Sequence, residues 1–192
     1  MERKNYPQVS VGFIHYPVTT LGYGNRIGIW FAGCNRRCDG CQTSLLWEFD
    51  YSVDGERVLA YVESKFALGA DGITISGGEP FEQIEFLSDI IDLAKKYTDD
   101  ILVYTGYKID ELKRRAINTN IIKKIGVLID GEYKKEYDDG KSLRGSSNQK
   151  VIILNEKLRE RYEKVQKELR ETELVSVRGK LFSIGINKGA EK

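Results

Sequence analysis

The sequence predicts an α/β fold in which mostly parallel strands alternate with helices and form an incomplete β/α barrel. Short runs of apolar residues recur along the chain, as at residues 27–31 and 72–76. Such runs are typical of strands that are buried on both faces of a parallel sheet. The segments between the runs repeat apolar residues at helical spacing, which indicates β-α units. Too few strands are predicted for a complete eight-stranded barrel.

The individual elements follow from local patterns. Strands are predicted at residues 9–14, 27–31, 72–76, 101–104, 127–129 and 151–154. A helix is expected after Asp54, a residue suited to cap it, with an apolar stripe formed by Val58, Leu59, Val62 and Phe66. A second helix is expected after Pro80, which cannot continue a sheet but is tolerated in a first helical turn. A short third helix is expected at residues 109–116.

The end of the chain predicts a helix followed by a hairpin. Residues 156–171 form an amphipathic pattern with Leu158, Tyr162, Val165 and Leu169 on one side. Two strands are expected at residues 174–177 and 181–186, joined through Arg178-Gly179-Lys180. No flexible linker precedes this segment, so we expect one domain over residues 1–192, with a core of about 9–154 and an extension of about 155–192.

Charge and composition restrict the possible partners. The thirty Lys and Arg residues are nearly balanced by twenty-nine Asp and Glu residues, and the two signs are interleaved. This pattern gives no electrostatic reason to expect binding to nucleic acid or to an anionic membrane. The sequence shows neither an export signal nor an apolar run that could span a bilayer. Clustered cysteines in such a chain lead us to expect a reducing, cytoplasmic location.

All three cysteines lie in one short stretch, at Cys34, Cys38 and Cys41. Two disulfides are impossible with three thiols, whereas three thiolates in one loop can converge on a metal centre. Cysteine sulfur favours zinc, copper(I) or an iron–sulfur cluster. Two alternatives remain open at this point. His15 could complete a structural zinc site, or a four-iron cluster could keep one iron open for a small molecule.

Four unusual stretches follow predicted strands, and the carboxyl ends of parallel strands meet at one side of a β/α fold. They are the cysteine loop, Gly77-Gly78-Glu79, residues 104–107 and Asp130-Gly131. We therefore expect them to face one cavity. Each stretch also has a plainer interpretation, because glycine pairs and Asp-Gly dipeptides are common in turns. Tyr104 and Tyr107 could equally be packing residues, and we expect packing roles for Trp47 and Phe49.

Together these stretches resemble the radical S-adenosylmethionine (SAM) enzymes. The resemblance rests on the Cys-x3-Cys-x2-Cys signature and on Gly-Gly-Glu-Pro at residues 77–80. The chain resembles more closely the activating enzymes of anaerobic ribonucleotide reductase, through Gly40, residues 104–107 with 110–112, residues 127–131 and residues 144–149. The similarity extends over about residues 27–153. It departs from the family at Gln42-Thr43, where members carry an aromatic residue and Asn.

The resemblance implies one [4Fe-4S] cluster, ligated by the three cysteines, with SAM on the fourth iron. Reductive cleavage of SAM would then give a 5′-deoxyadenosyl radical that abstracts hydrogen from the substrate, and no protein acid or base would be required. The cofactor-binding residues that it implies are Gly40 and Gln42 near the nucleoside, Gly77 and Gly78 near the methionine, Glu79 near the ammonium group, and Thr105 and Asp130. A Gly78→Val variant is accordingly expected to keep the cluster but to lose SAM.

The resemblance also implies the reaction partners. The hydrogen donor would be a glycine of a glycyl radical enzyme, first of all an anaerobic ribonucleotide reductase, and the electron donor a flavodoxin or ferredoxin. With no further cysteine in the chain, a second cysteine-ligated cluster is not expected. The alternatives are a small radical SAM oxidoreductase acting on a peptide or nucleotide-derived substrate and, from a different class, a non-catalytic zinc-binding module.

Overall fold

The computed structural model describes residues 8–114, 116–177 and 179–187. The strands are β1 (Val9–Val18), β2 (Arg26–Phe31), β3 (Ser52–Val53), β4 (Gly72–Gly77), β5 (Ile101–Thr105), β6 (Val127–Asp130), β7 (Lys150–Ile153), β8 (Thr172–Val177) and β9 (Lys180–Gly185). The α-helices are α1 (Gly55–Ala67), α2 (Ile84–Ala94), α3 (Ile109–Lys113), α4 (Ala116–Ile122) and α5 (Arg159–Val165). None of the helices in these described ranges is long and apolar enough to cross a bilayer.

Seven strands form one mixed sheet in the order β3-β1-β2-β4-β5-β6-β7. The central strands β2, β4, β5 and β6 are parallel, which agrees with the predicted α/β fold. The flanking strands β1 and β7 are antiparallel to their neighbours β2 and β6, so the sheet is mixed and, as predicted, mostly parallel. The two flanking strands are antiparallel because no α-helix crosses over between β1 and β2 or between β6 and β7. No pairing among the described strands joins β3 to β7.

Helices cover one face of the sheet. Successive side chains of a strand point to opposite faces, so alternate residues of β2 and β4, such as Ile29 and Ile75, reach the same core. They pack there with buried residues of α1, α2 and α4. The Asp54 carboxylate accepts hydrogen bonds from the backbone N–H groups of Glu56 and Arg57, which confirms the predicted cap of α1.

The end of the chain covers the opposite face. Three residues of the sheet, Leu102, Val127 and Ile129, form a buried cluster with Leu158, Tyr162 and Val165 of the α5 region. Further along the same face, Val18, Leu21 and Trp30 pack with Ile184 and Ile186 from β9 and the residues after it. The segment after β7 therefore fills the face of the sheet that the other helices leave open.

The helix predicted at residues 156–171 is shorter than expected. A 3₁₀ turn over Glu156–Leu158 leads into α5, which ends at Val165. Leu169, expected on the buried stripe, is 73% exposed. Beyond α5 the backbone is held by a different segment, because Ser142 N–H donates to Glu168 and Arg170 N–H donates to Gly140. These contacts replace helical hydrogen bonds. The predicted hairpin is confirmed as β8 and β9, which pair antiparallel.

A buried ion pair lies at the amino ends of the parallel strands. The Arg26 guanidinium, at the start of β2, lies 2.9 Å from the Asp100 carboxylate, and both side chains are almost completely buried. Arg26 also donates to Thr74, and Asp100 accepts from Arg161 and from the hydroxyl of Tyr162. Because α5 supplies Arg161 and Tyr162, this network ties the end of the chain to the sheet.

Candidate active site

A cavity of about 650 Å³ opens at the carboxyl ends of the parallel strands. Its lining includes the ends of β4 and β5, the loop after β2, and residues of β9. The predicted site residues that line it are Cys34, Cys38, Cys41, Gln42, Gly77, Gly78, Glu79 and Thr105. The structure thus brings together the stretches that follow β2, β4 and β5.

Two predicted site residues lie elsewhere. Asp130 is buried, and its Oδ2 accepts a hydrogen bond from Ile109 N–H at 2.8 Å, at the start of α3. Its neighbour Gly131 reaches the cavity instead. Gly40 is exposed with φ +69°, and it lies beside the side chain of Lys135. In this structure Asp130 and Gly40 therefore shape the elements around the cavity rather than its surface.

The loop with the three cysteines (the cysteine loop, residues 33–41) is held at its beginning by backbone hydrogen bonds. Gly33 N–H donates to the carbonyl of Leu46, and Cys34 N–H donates to the carbonyl of Trp47. Further along, Asn35 donates from its backbone and its side chain to the Glu82 carboxylate. The loop is therefore fixed on one side to residues 46–47 and on the other to the segment before α2.

The three cysteines are free thiols at different depths. Cys34 is buried, whereas Cys38 and Cys41 are half-buried. Burial raises the pKa of the Cys34 thiol and raises that of Cys38 to about 11. Both thiols are thus protonated at neutral pH in the protein alone. A bound metal centre deprotonates its cysteine ligands, so its binding at this loop would release protons.

The three cysteines fit an iron–sulfur cluster better than a single metal ion. Within the described ranges, no three His, Cys, Asp or Glu side chains are close enough together to hold one metal ion. Each cysteine of a four-iron cluster binds a different iron, so its sulfurs need not converge on one point as they do around zinc. His15 stacks on Phe13 within β1, opposite Gly28 of β2, and does not reach the cavity lining. The predicted zinc alternative therefore gains no support from the position of His15.

Gly77 and Gly78 bring the end of β4 against the start of the cysteine loop. Gly78 N–H donates to the carbonyl of Phe31 at 2.7 Å, and Glu79 N–H donates to the carbonyl of Gly33 at 2.8 Å. A Cβ atom would lie 2.2 Å from the Phe31 oxygen at Gly77, where φ is +105°, and 2.3 Å from the Gly33 oxygen at Gly78. A side chain at Gly78 would therefore strike the cysteine loop itself, contrary to the expectation that Gly78→Val affects only SAM.

Glu79 is a buried carboxylate at the bottom of the cavity. It accepts hydrogen bonds from Phe81 N–H at 3.1 Å, Thr105 Oγ1 at 2.9 Å and Gly106 N–H at 2.8 Å. Burial raises its pKa to about 7, although these hydrogen bonds oppose the shift. A carboxylate has capacity for about four hydrogen bonds, so Glu79 can accept one more from a ligand. Thr105 contributes to the site by holding Glu79.

Three buried polar atoms of the cavity lining lack a hydrogen-bond partner in the described structure. They are Nε of Arg36, Nε1 of Trp47 and the hydroxyl of Tyr104. The Arg36 guanidinium lies 4.7 Å from the centre of the Tyr107 ring, and no salt bridge joins it to a described acidic residue. The sequence interpretation missed Arg36 and assigned Trp47 to packing. Nothing in the sequence distinguishes Arg36 from Arg37, which is exposed and pairs with Glu48.

The sequence interpretation also missed the contribution of the chain's end. Residues of β9 and the two that follow line the cavity, among them Phe182, Ile184 and Asn187. Gln42, predicted to meet the nucleoside, exchanges two hydrogen bonds of 3.0 Å with the backbone of Asn187. Its amide therefore joins the segment after Cys41 to the end of the hairpin.

Comparison with known proteins gives consistent matches. Residues 20–152 match the family described as "4Fe-4S single cluster domain". The anaerobic ribonucleoside-triphosphate reductase-activating protein of Salmonella typhimurium is 32% identical over 151 residues, which cover 71% of this chain and 94% of that protein. The protein of the same name from Enterobacteria phage T4 is 30% identical over 138 residues, covering 68% and 85%. QueE from Escherichia coli aligns with 53% of each chain at a TM-score of 0.42 and 22% identity, a similarity too weak to support an argument.

Proposed function

Because the chain belongs to the radical SAM family of anaerobic ribonucleoside-triphosphate reductase-activating proteins, we propose that it installs a glycyl radical on an anaerobic ribonucleotide reductase. The observation that carries the proposal is the position of the three free cysteines on the same cavity as Gly78 and Glu79. No protein acid or base is needed for this role. The lining residues bind and orient the reactants.

We propose that Cys34, Cys38 and Cys41 ligate one [4Fe-4S] cluster and that SAM binds beside it in the cavity. When bound, the cluster and SAM supply the reductive cleavage that generates the hydrogen-abstracting radical. Because their pKa values are raised, Cys34 and Cys38 are thiols at neutral pH, and binding of the cluster would release their protons. Gly77 and Gly78 support this ligand set by letting the cysteine loop rest against β4.

We propose that the remaining predicted site residues and Arg36 divide into residues that contact SAM and residues that position the site. In this proposal the Glu79 carboxylate accepts a hydrogen bond from the ammonium group of SAM, and the guanidinium of Arg36 donates to the carboxylate of SAM; both side chains line the cavity, and Nε of Arg36 has no partner in the described structure. Thr105 holds the Glu79 carboxylate by a hydrogen bond, and Asp130 holds the start of α3 by accepting from a backbone N–H. Gln42 joins the segment after Cys41 to the end of the hairpin by its hydrogen bond to Asn187. Gly40 allows the cysteine loop to turn, because its φ is positive.

The same proposal extends to the molecule's architecture and surroundings. We propose that the sheet is the wall of an incomplete barrel and that residues 1–192 act as one domain. An open barrel admits a macromolecular substrate to the cavity, as an activating enzyme requires. The free cysteines are suited to a reducing cytoplasm, and a flavodoxin or ferredoxin would supply the electron.

The decisive experiment combines metal analysis with electron paramagnetic resonance. The anaerobically purified protein should contain about four irons per chain, as one four-iron cluster requires. With reductant, SAM and the reductase from the same genome, it should produce a glycyl radical doublet. A reductase in which the radical glycine is replaced by Ala is the control and should give no doublet. Cys34→Ala should abolish both iron binding and the doublet.

Each of the two alternatives predicts a different outcome. SAM cleavage without a doublet on the reductase would point to the small-substrate radical enzyme. One zinc per chain and no iron would point to the non-catalytic zinc module.

A further inference from the structure

The hairpin of β8 and β9 lies outside the family match but forms part of the cavity wall. The match ends at residue 152, whereas β8 begins at Thr172. Along β9 one face of the hairpin carries Phe182 and Ile184, which line the cavity together with the cysteines. Family-wide chemistry would not require this segment. Its position at the cavity therefore points to a function particular to this chain.

The hairpin is attached firmly to the rest of the site. Asn187, just after β9, exchanges hydrogen bonds with Gln42 and accepts another from the Arg170 guanidinium. At the other strand, the Glu173 carboxylate accepts hydrogen bonds from the backbone and the hydroxyl of Thr19. The buried side chains of Ile184 and Ile186 add an apolar anchor. The hairpin is thus a fixed wall.

The entrance to the cavity is bordered by exposed apolar side chains. Phe182, Leu45 and Tyr51 line the cavity, and their side chains are also exposed to solvent. On the opposite face of the hairpin from Phe182, Leu174 and Leu181 are also exposed, at 75% and 74%. Leu174 faces Ser183 across the hairpin, so Leu181 is its diagonal neighbour on the same face. Exposed apolar residues grouped next to a cavity indicate an interaction surface.

We propose that this hairpin docks the glycine-bearing polypeptide segment of the partner, an inference that rests on the proposed function. Hydrogen can be taken from a backbone glycine only if the main chain itself reaches the cavity, so the partner segment must cross its border. The sheet of β8 and β9 has only these two strands among the described residues, so its edges can pair with an extended segment. Leu174 and Leu181 would then contact side chains that flank the glycine.

The test compares three exposed leucines. Leu174→Asp and Leu181→Asp place a charge on the proposed surface without touching the cavity lining. Leu68→Asp, at the end of α1 and 68% exposed, is the matched control. We expect all three variants to keep wild-type iron content and wild-type SAM cleavage with a chemical reductant alone. In the two hairpin variants the KM for the reductase in glycyl radical formation should rise about tenfold or more. Leu68→Asp should leave it unchanged.

The outcomes separate this inference from the proposed function. If the wild-type protein forms no doublet on the reductase, the proposed function fails and the inference fails with it. If it forms the doublet and both hairpin variants keep the wild-type KM, only the inference is overturned. Sedimentation provides a further measurement. A wild-type dimer that the variants convert to a monomer, with an unchanged KM, would assign the surface to a second copy of the chain. If the Asp variants fail to fold, Leu174→Ser and Leu181→Ser are tested by direct calorimetric binding to the reductase.

Discussion

The most important feature of the cavity at the scale of residues is that it contains hydrogen-bond donors without partners. Arg36, Trp47 and Tyr104 each present a buried donor atom without a partner in the described structure. Leaving such a group unsatisfied costs about 1–3 kcal/mol, so a ligand that brings acceptors is favoured. SAM carries a carboxylate, ribose hydroxyls and adenine nitrogens. The sequence predicted the cysteines and Glu79 from their motif but could not predict these donors, because their burial depends on the fold.

Arg36 and its neighbour Arg37 provide a matched pair of variants. Arg36→Gln should weaken SAM binding about tenfold or more, because a charge-assisted hydrogen bond contributes roughly 1.5–3 kcal/mol. Arg37→Gln should have little effect, because Arg37 is exposed and its ion pair with Glu48 lies in water. Calorimetric titration of the reconstituted proteins with SAM measures the difference, with iron content as the check on the cluster. Equal affinities for the two variants would remove Arg36 from the binding site.

Glu79 predicts a pH dependence of stability in the protein without cofactors. Its pKa is raised from 4.5 to about 7 in the folded protein, so the folded state keeps a proton that the unfolded chain has lost in this window. The contribution of Glu79 to the free energy of unfolding should therefore be most favourable below pH 4.5 and should fall as the pH rises to 7. The total change is roughly 3 kcal/mol. Urea denaturation of the wild type and Glu79→Gln should show this slope only in the wild type. If the free energy of unfolding had the same pH dependence in the wild type and in Glu79→Gln, the raised pKa of Glu79 would be contradicted.

At the scale of elements, the sequence predicted what is encoded locally. The apolar runs of β2, β4, β5 and β6 and the Asp54 cap of α1 were all recognisable. The antiparallel direction of β1 and β7 was not predicted individually, because it depends on connections whose course leaves no local pattern. The two-residue strand β3 is too short for a periodic signal, and most of α4 was missed. The overestimated length of α5 has a tertiary cause, the pairing of Leu169 with Lys141.

The contact between β4 and the cysteine loop gives a prediction at this scale. Gly78→Ala should displace the loop, because the new Cβ would lie 2.3 Å from the Gly33 oxygen. We expect a loss of iron after reconstitution, together with a loss of SAM binding. Gly69→Ala is the control, since a Cβ there meets nothing within 4 Å although φ is +90°. It should lower stability but keep the iron. A Gly78→Ala protein with full iron and no SAM affinity would instead restore the sequence-based role of Gly78.

At the scale of the whole molecule, the two faces of the sheet have different roles. Its helix-covered face holds the larger core, and its other face is shared between the cavity and the end of the chain. The sequence predicted a cavity at the carboxyl ends of the parallel strands because that position follows from the fold class. It could not predict that β9 would line it. An amphipathic pattern shows that a segment has a buried side, but the surface against which it packs is a property of the assembled molecule.

Removing the end of the chain tests whether the sheet needs this segment as a cover. A protein that stops after Leu154 loses Tyr162 and exposes the apolar residues Leu102 and Val127. It also leaves the buried pair of Arg26 and Asp100 without its cover. We expect this protein to be poorly soluble and to unfold without a cooperative transition, because uncovered apolar surface and an ion pair that loses partners are both destabilising.

Tyr162→Phe is the mild counterpart of the truncation. It removes only the hydroxyl that donates to Asp100, so it should cost about 1–3 kcal/mol of unfolding free energy and retain both iron and the cavity. Urea denaturation and iron analysis of the two proteins, side by side with the wild type, separate loss of one hydrogen bond from loss of the covering segment. A soluble truncated protein with full iron and a cooperative transition would show that the sheet needs no cover. The end of the chain would then serve the cavity alone.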